Sequence, residues 1–131
     1  DNNYYKKFSN QPFTGIVNGK EQGSLKNGNR EGPWLGYHDN GNLSSKGNFK
    51  NGKREGSWLG YFDNGNLYSK GDYKNGKKDG SWIHYYENGN LSSKGNYKNG
   101  KKEGSWVSYY EDKNIRRRWT GIYKNGVKIS D

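Results

Sequence analysis

One phrase, G-x-W-x-x-Y, is written four times along this chain, as Gly32/Trp34/Tyr37, Gly56/Trp58/Tyr61, Gly80/Trp82/Tyr85 and Gly104/Trp106/Tyr109, always 24 residues apart. A fixed period of that size is the signature of a repeat architecture. One such unit cannot bury its own apolar face, so units must stack on their neighbours into a continuous core. Whatever chemistry one unit displays, the stack displays at regular intervals.

At 131 residues the chain is predicted to form a single elongated repeat domain, because modules that need one another cannot be divided. Hydrophobic and charged residues each make up 27%, a balance that by itself favours disorder, yet aromatics reach 16% and recur at fixed phase among 21 glycines. A disordered chain has no reason to keep that phase. The absence of cysteine excludes a disulfide framework and a thiolate metal site, so stability must come from stacking. No apolar run approaches the length of a membrane-spanning helix, about 18 residues. The sequence starts at Asp1 and contains no methionine. A removed secretory signal accounts for both observations and trimming accounts for the first; the expectation is a secreted, cell-surface or periplasmic protein. The net charge of +10 predicts attraction to anionic partners that weakens with salt.

In the second unit Asn64-Gly65 separates two aromatic-rich runs, residues 56–63 and 66–74. Asn-Gly is the strongest short hairpin signal, since a type I′ turn needs positive φ at both central residues. Each unit therefore reads as a β-hairpin. Taking Asn64-Gly65 as a two-residue loop pairs Phe62 with Leu67, Gly60 with Ser69, Trp58 with Gly71 and Gly56 with Tyr73. Period-2 alternation then puts Trp58, Phe62, Leu67 and Tyr73 on one face, the indole lying across the paired glycine. The repeat core so predicted comprises Trp34, Trp58, Trp82 and Trp106, with Leu43, Leu67 and Leu91, and with Phe49, Tyr73 and Tyr97. The opposite face receives Tyr37, Tyr61, Tyr68, Tyr85 and Tyr109 with Lys70 and Lys94. An uncovered face of aromatics and lysines is a candidate binding face; the competing reading is a set of cross-strand ladders that only stabilise the sheet.

Successive hairpins are joined by K-N-G-[KN]-[RK]-[ED]-G segments, read as loops. They place Lys53/Arg54, Lys77/Lys78 and Lys101/Lys102 along one candidate basic edge, each pair followed by an acid that cancels part of its field. The ends are irregular, as capping units are. Residues 1–22 form an N-terminal cap segment, 23–126 the repeats and 127–131 a C-terminal tail. Near the far end Asp112-Lys113 replaces Asn-Gly, and Arg116-Arg117-Arg118 extends the basic edge with its densest charge.

These residues resemble the bacterial variant of the MORN repeat, whose hallmark is Y-x-N-G-x-L…G-x-Y-K-N-G-K-x-x-G-x-W. The span from Tyr85 to Trp106 satisfies nearly all of it, and the resemblance extends over residues 13–126, with Phe13-Thr14-Gly15 similar to the opening of such proteins. It implies an all-β fold, an elongated twisted antiparallel meander of consecutive β-hairpins. For function it implies several roles: some relatives carry the label of YwqK-type antitoxins, others are exported adhesion proteins, and eukaryotic ones are scaffolds with proposed phospholipid binding.

Motifs that suggest catalysis or ligation have simpler readings. G-x-x-x-x-G-K recurs, as at Gly71 to Lys77, but the next residue is Lys78 rather than a hydroxyl, and a strand rather than a helix follows. Asp39 to Asn42 and Asp63 to Asn66 bring too few oxygens together for calcium. His38 and His84 occupy different slots of their units, and neither has a Cys, Ser or carboxylate recurring beside it at a spacing that suggests a triad or ligand set. No catalytic residue, metal site or cofactor is expected, because one motif repeated suits an extended partner and not an irregular catalytic constellation. Interleaved aromatics and cations are also the composition of a single-strand nucleic-acid binder, but the indoles are taken up by the core. The expected function is a non-enzymatic scaffold or adhesion module contacting another protein or a surface, self-assembling head to tail through its open strand edges. The alternatives are a cytoplasmic toxin-neutralising binder and a basic binder of anionic lipid, glycan or nucleic acid.

Overall fold

The computed structural model describes residues 12–131, which form one open antiparallel sheet of eleven strands in chain order. The strands are β1 (Gly15–Val17), β2 (Glu21–Lys26), β3 (Asn29–Tyr37), β4 (Leu43–Lys50), β5 (Lys53–Tyr61), β6 (Leu67–Lys74), β7 (Lys77–Tyr85), β8 (Leu91–Lys98), β9 (Lys101–Ser108), β10 (Gly121–Lys124) and β11 (Val127–Ser130). The all-β hairpin meander expected from the repeat is the observed fold. Residues 1–11 of the predicted cap lie outside the described residues; the rest of it carries β1 and the start of β2. Val127–Ser130, read from sequence as tail, pairs with β10.

Two kinds of turn alternate, and the type I′ turns are not where the hairpin reading puts them. Positive φ at both central residues occurs at Asn27-Gly28, Asn51-Gly52, Asn75-Gly76, Asn99-Gly100 and Asn125-Gly126. The segments expected as joining loops are therefore tight hairpins, and Lys53/Arg54, Lys77/Lys78 and Lys101/Lys102 lie within β5, β7 and β9. At Asn64-Gly65 only the glycine has positive φ, 88°. Gly65 N–H donates to Phe62 O at 3.0 Å and Phe62 N–H to Asn66 O at 2.8 Å, which closes a three-residue loop. The cause is local: Asn66 N–H donates to Asn64 Oδ1 at 2.9 Å, an Asx turn that holds Asn64 out of the left-handed region.

The longer loop shifts the register by one residue near the turn. Trp58↔Gly71 and Gly60↔Ser69 pair as predicted, but Tyr61, not Phe62, faces Leu67, and Tyr68 bulges between Leu67 and Ser69. Leu43 and Leu91 likewise pair with Tyr37 and Tyr85. The three leucines thus share the face of these tyrosines and do not belong to the tryptophan core, contrary to expectation. The bulge has the opposite effect on Tyr68, which turns to the tryptophan face and meets Phe62 edge-on at 5.1 Å.

A second irregularity precedes each tryptophan. Gly56, at φ 71°, sits in a bulge that gives β5 two residues more than β4 and so preserves the face: Arg54 and Trp58 project to the same side. The bulge turns each indole back over the glycine of the preceding strand. Trp58 covers Gly47, Trp82 covers Gly71 and Trp106 covers Gly95, so closely that a Cβ on those glycines would collide with the ring. The predicted tryptophan-over-glycine packing exists, but it joins one repeat to the one before it. Each indole N–H donates to a carbonyl of that earlier strand, as Trp82 does to Asp72 O at 2.9 Å.

The result is a core one side chain thick. Tryptophans from odd strands alternate with Phe49, Tyr73 and Tyr97 from even strands in an unbroken edge-to-face chain, from Trp34–Phe49 at 5.9 Å to Tyr97–Trp106 at 4.9 Å. The four core indoles are 2–5% exposed. Each aromatic pair adds about 0.5–1.5 kcal/mol beyond its buried area. Backbone links fasten both long edges of the sheet. Along one, Asn42, Asn66 and Asn90 side chains donate to Asp63 O, Glu87 O and Glu111 O of the next repeat. Along the other, Glu31, Glu55 and Glu103 accept from the turn N–H of Asn51, Asn75 and Asn125. These acids cap the next turn, a use that the sequence reading, which set them against the neighbouring cations, did not foresee.

Candidate functional site

Over each indole stands a cation four residues earlier in the same strand. Arg30 lies 4.9 Å from the Trp34 ring, Arg54 4.5 Å from Trp58, Lys78 4.6 Å from Trp82 and Lys102 4.7 Å from Trp106. Each cation also reaches the next aromatic of the chain, as Lys78 reaches Tyr97 at 5.1 Å. Burying aromatic surface beneath a cation is favourable because the ring face carries the negative lobe of its quadrupole. Arg30 is ion-paired with Glu21 at 2.5 Å. For Arg54, Lys78 and Lys102 no carboxylate among the described residues comes within ion-pair distance. Burial lowers the Lys78 pKa, with Arg54 and Lys102 adding to the effect, and burial lowers that of Lys102. Two partly desolvated lysines in one row with the exposed Arg54 form a site of like charge that an external anion would stabilise.

The two members of each predicted basic pair separate. Arg54, Lys78 and Lys102 belong to this aromatic face, whereas Lys53, Lys77 and Lys101 run their aliphatic stems beside Gly76, Gly100 and Gly126 of the following turn. The hairpins add a lysine directly across: Lys50↔Lys53, Lys74↔Lys77 and Lys98↔Lys101. Like charges placed opposite each other destabilise a ladder, so this edge carries an electrostatic cost that folding alone does not explain. Sequence reasoning missed Lys50, Lys74 and Lys98 because it placed the segment in loops; reading K-N-G-K as the hairpin would have found them. The opposite long edge is acidic, with exposed Asp39, Asp63, Glu87 and Glu111 in the three-residue turns. The plank is therefore charged unequally from one long edge to the other.

Between the tryptophans the same face holds a row of small polar residues, paired strand to strand as Ser45↔Gly60, Gly60↔Ser69, Ser69↔His84, His84↔Ser93 and Ser93↔Ser108. A hollow of about 220 Å³ opens at Gly60, floored by Ser45 and Ser69 and overhung by Arg54 and Lys78. His84 walls it, stacked on Trp82 with ring centroids 6.0 Å apart and planes 22° apart. Burial, and then the charges of Lys78 and Lys102, hold the His84 pKa down at about 4, so the ring is neutral at physiological pH.

The second face keeps Tyr37, Tyr61, Tyr85 and Tyr109, all half-buried. Lys70 and Lys94 join Lys46 in a ladder that alternates lysine with Leu59, Ile83 and Val107 across successive strands. In the irregular last repeat Arg116 lies 5.1 Å over Tyr110 and Arg118 5.2 Å over Trp119, and Ser108 N–H donates to Thr120 Oγ1 at 2.9 Å. The extra residues thus form a closing 3-10 turn (Arg117–Trp119) beside the stack.

Among the described residues no group of His, Asp and Glu is arranged to hold a metal ion, and no helix is long and apolar enough to cross a membrane. The family model for the MORN repeat variant matches residues 30–51, 54–75 and 78–99. Each match begins inside the strand that carries the cation and tryptophan and ends at the next type I′ turn. No curated protein matches the chain.

Proposed function

Because the chain belongs to the MORN repeat variant family, whose members are in general binding modules, we propose that it is a non-enzymatic scaffold or adhesion module that holds an extended, negatively charged partner along its basic edge and the adjoining aromatic face. The observation that carries this reading is the repetition of three cations per unit at and beside one edge, Lys50/Lys53/Arg54, Lys74/Lys77/Lys78 and Lys98/Lys101/Lys102, which outnumber the one acid, Glu55, Asp79 or Glu103, that follows each group. Equivalent cations recur every second strand, about 10 Å apart. A regular row of this kind suits a surface or polymer of regular charge, met outside the cell or at its boundary, and gives multivalent contact without new chemistry in each unit.

The test compares two triple variants with the same net charge, Lys74→Gln/Lys77→Gln/Lys98→Gln and Lys46→Gln/Lys70→Gln/Lys94→Gln, for binding to immobilised polyphosphate across salt concentrations. The edge variant should lose about tenfold or more in affinity and show a shallower salt dependence, and the second-face variant should stay near wild type. Equal losses would contradict the reading.

A separate observation favours head-to-tail self-association. The outer strands of the open sheet expose Ile16 at 70%, Val127 at 65% and Ile129 at 61%, on edges that have no partner strand among the described residues. Sedimentation should show mass rising with protein concentration in the wild type but not in Val127→Lys/Ile129→Lys; a constant mass in both would exclude it.

A further inference from the structure

A repeat chain is most informative where it stops repeating. In the slot of Ser44 and Ser92 the second repeat has Tyr68; in the slot of Gly36 and Gly60 the third has His84; and in the slot of His38, Tyr86 and Tyr110 the second has Phe62. His38 and Tyr86 use their polar atoms on the carbonyls of Tyr61 and Tyr109, at 2.8 Å and 2.7 Å. Phe62 has no such atom and packs on Tyr68 instead. The three departures come from different elements and converge: Phe62–Tyr68 at 5.1 Å, then Tyr68–His84 at 6.0 Å. Tyr68 and His84 line the hollow at Gly60, with Phe62 packed behind Tyr68, and the same hollow is lined by the hydroxyls of Ser45 and Ser69 and by the cations Arg54 and Lys78.

We propose that this hollow seats one sugar ring of a linear acidic polysaccharide, whose carboxylates run along Arg54, Lys78 and Lys102. The inference rests on the reading of the basic edge and aromatic face as a binding surface, and adds the class of ligand. Aromatic rings offer flat apolar faces to the C–H faces of a pyranose, while Ser45, Ser69 and the neutral His84 imidazole offer hydrogen bonds to its hydroxyls. The cation spacing of about 10 Å matches a polymer that carries one carboxylate on every second ring. Nucleic acid fits less well. Each strand of a duplex carries a phosphate every ~3.4 Å of helix axis, far denser than the cation row, and the indoles, pinned on glycines beneath the cations, leave no free face for stacking bases.

The experiment titrates the full chain with hyaluronan octasaccharide, with chitin oligosaccharide as a neutral control and polyphosphate as a charge control. The variants Tyr68→Ser and His84→Gly restore residues that the same fold already carries in its other repeats, and thermal melting confirms that each is folded. Hyaluronan should bind the wild type, and each variant should weaken it by about tenfold while polyphosphate binding stays within about twofold. The inference fails if the variants leave hyaluronan affinity unchanged, or if the chitin oligosaccharide binds equally well. Polyphosphate binding without hyaluronan binding would overturn this inference and leave the broader reading standing; binding of neither at low salt would overturn both.

Discussion

A glycine beneath each indole sets how closely one repeat approaches the next. At Gly71 a Cβ would strike the Trp82 ring, whereas at Gly60 the one close approach would be to the Ser69 hydroxyl at 2.8 Å, the end of a side chain that can rotate away, with Tyr68 at an ordinary 3.5 Å. Gly71→Ala should therefore destabilise by about 1–3 kcal/mol in urea unfolding, and Gly60→Ala by clearly less. His84 yields a second prediction. Its folded pKa of about 4 lies below its ordinary 6.5, so between these values the unfolded chain binds the proton more readily. Its contribution to stability is intact above pH 6.5 and is lost as pH falls toward 4. The stability of the wild type relative to His84→Gly should decline across that window in parallel melts; a constant difference would show that the imidazole is not held neutral. The tryptophans and the aromatics of the even strands were legible at this scale because period and alternation fix them. Tyr68 and the leucines were not, since a bulge inverts a face without leaving any mark in the alternation.

The elements owe their order to two turn types that look alike in one-letter code. Asn75-Gly76 and Asn64-Gly65 are the same dipeptide, yet only the first has positive φ at both residues. The difference lies outside the dipeptide: the second asparagine of Asn64-Gly65-Asn66 lends its N–H to the first. In the last repeat the loop glycine is replaced by Lys113, held at φ 71° where Gly41, Gly65 and Gly89 sit elsewhere. Lys113→Gly should relieve left-handed strain and stabilise the protein by about 1 kcal/mol, read from the denaturation midpoint. No change would mean that the closing turn fixes that conformation from outside. Strand content and pairing order could be read from the sequence. The assignment of Lys53, Lys77 and Lys101 to strands could not, because a tight type I′ turn and a seven-residue loop are written with the same K-N-G.

For the whole molecule, the repeat turns local choices into extended rows: indoles, cations, hydroxyls and turn asparagines each recur at the spacing of two strands. The architecture was legible because a 24-residue period admits little else. The division of charge between long edges was hidden, since it depends on which turn is tight. Three of the four cations over the core stand away from any described carboxylate, and two of them are partly desolvated. The cation–ring contacts favour folding but leave like charges facing one another along the row, and a polyanion laid along it would relieve that repulsion. The most direct test is the acetylation rate of each lysine, read by mass spectrometry with and without polyphosphate. Lys77, Lys78, Lys101 and Lys102 should be protected together while Lys46, Lys70 and Lys94 on the second face react as before; protection of the second-face lysines, with the edge and aromatic face still reactive, would contradict the account.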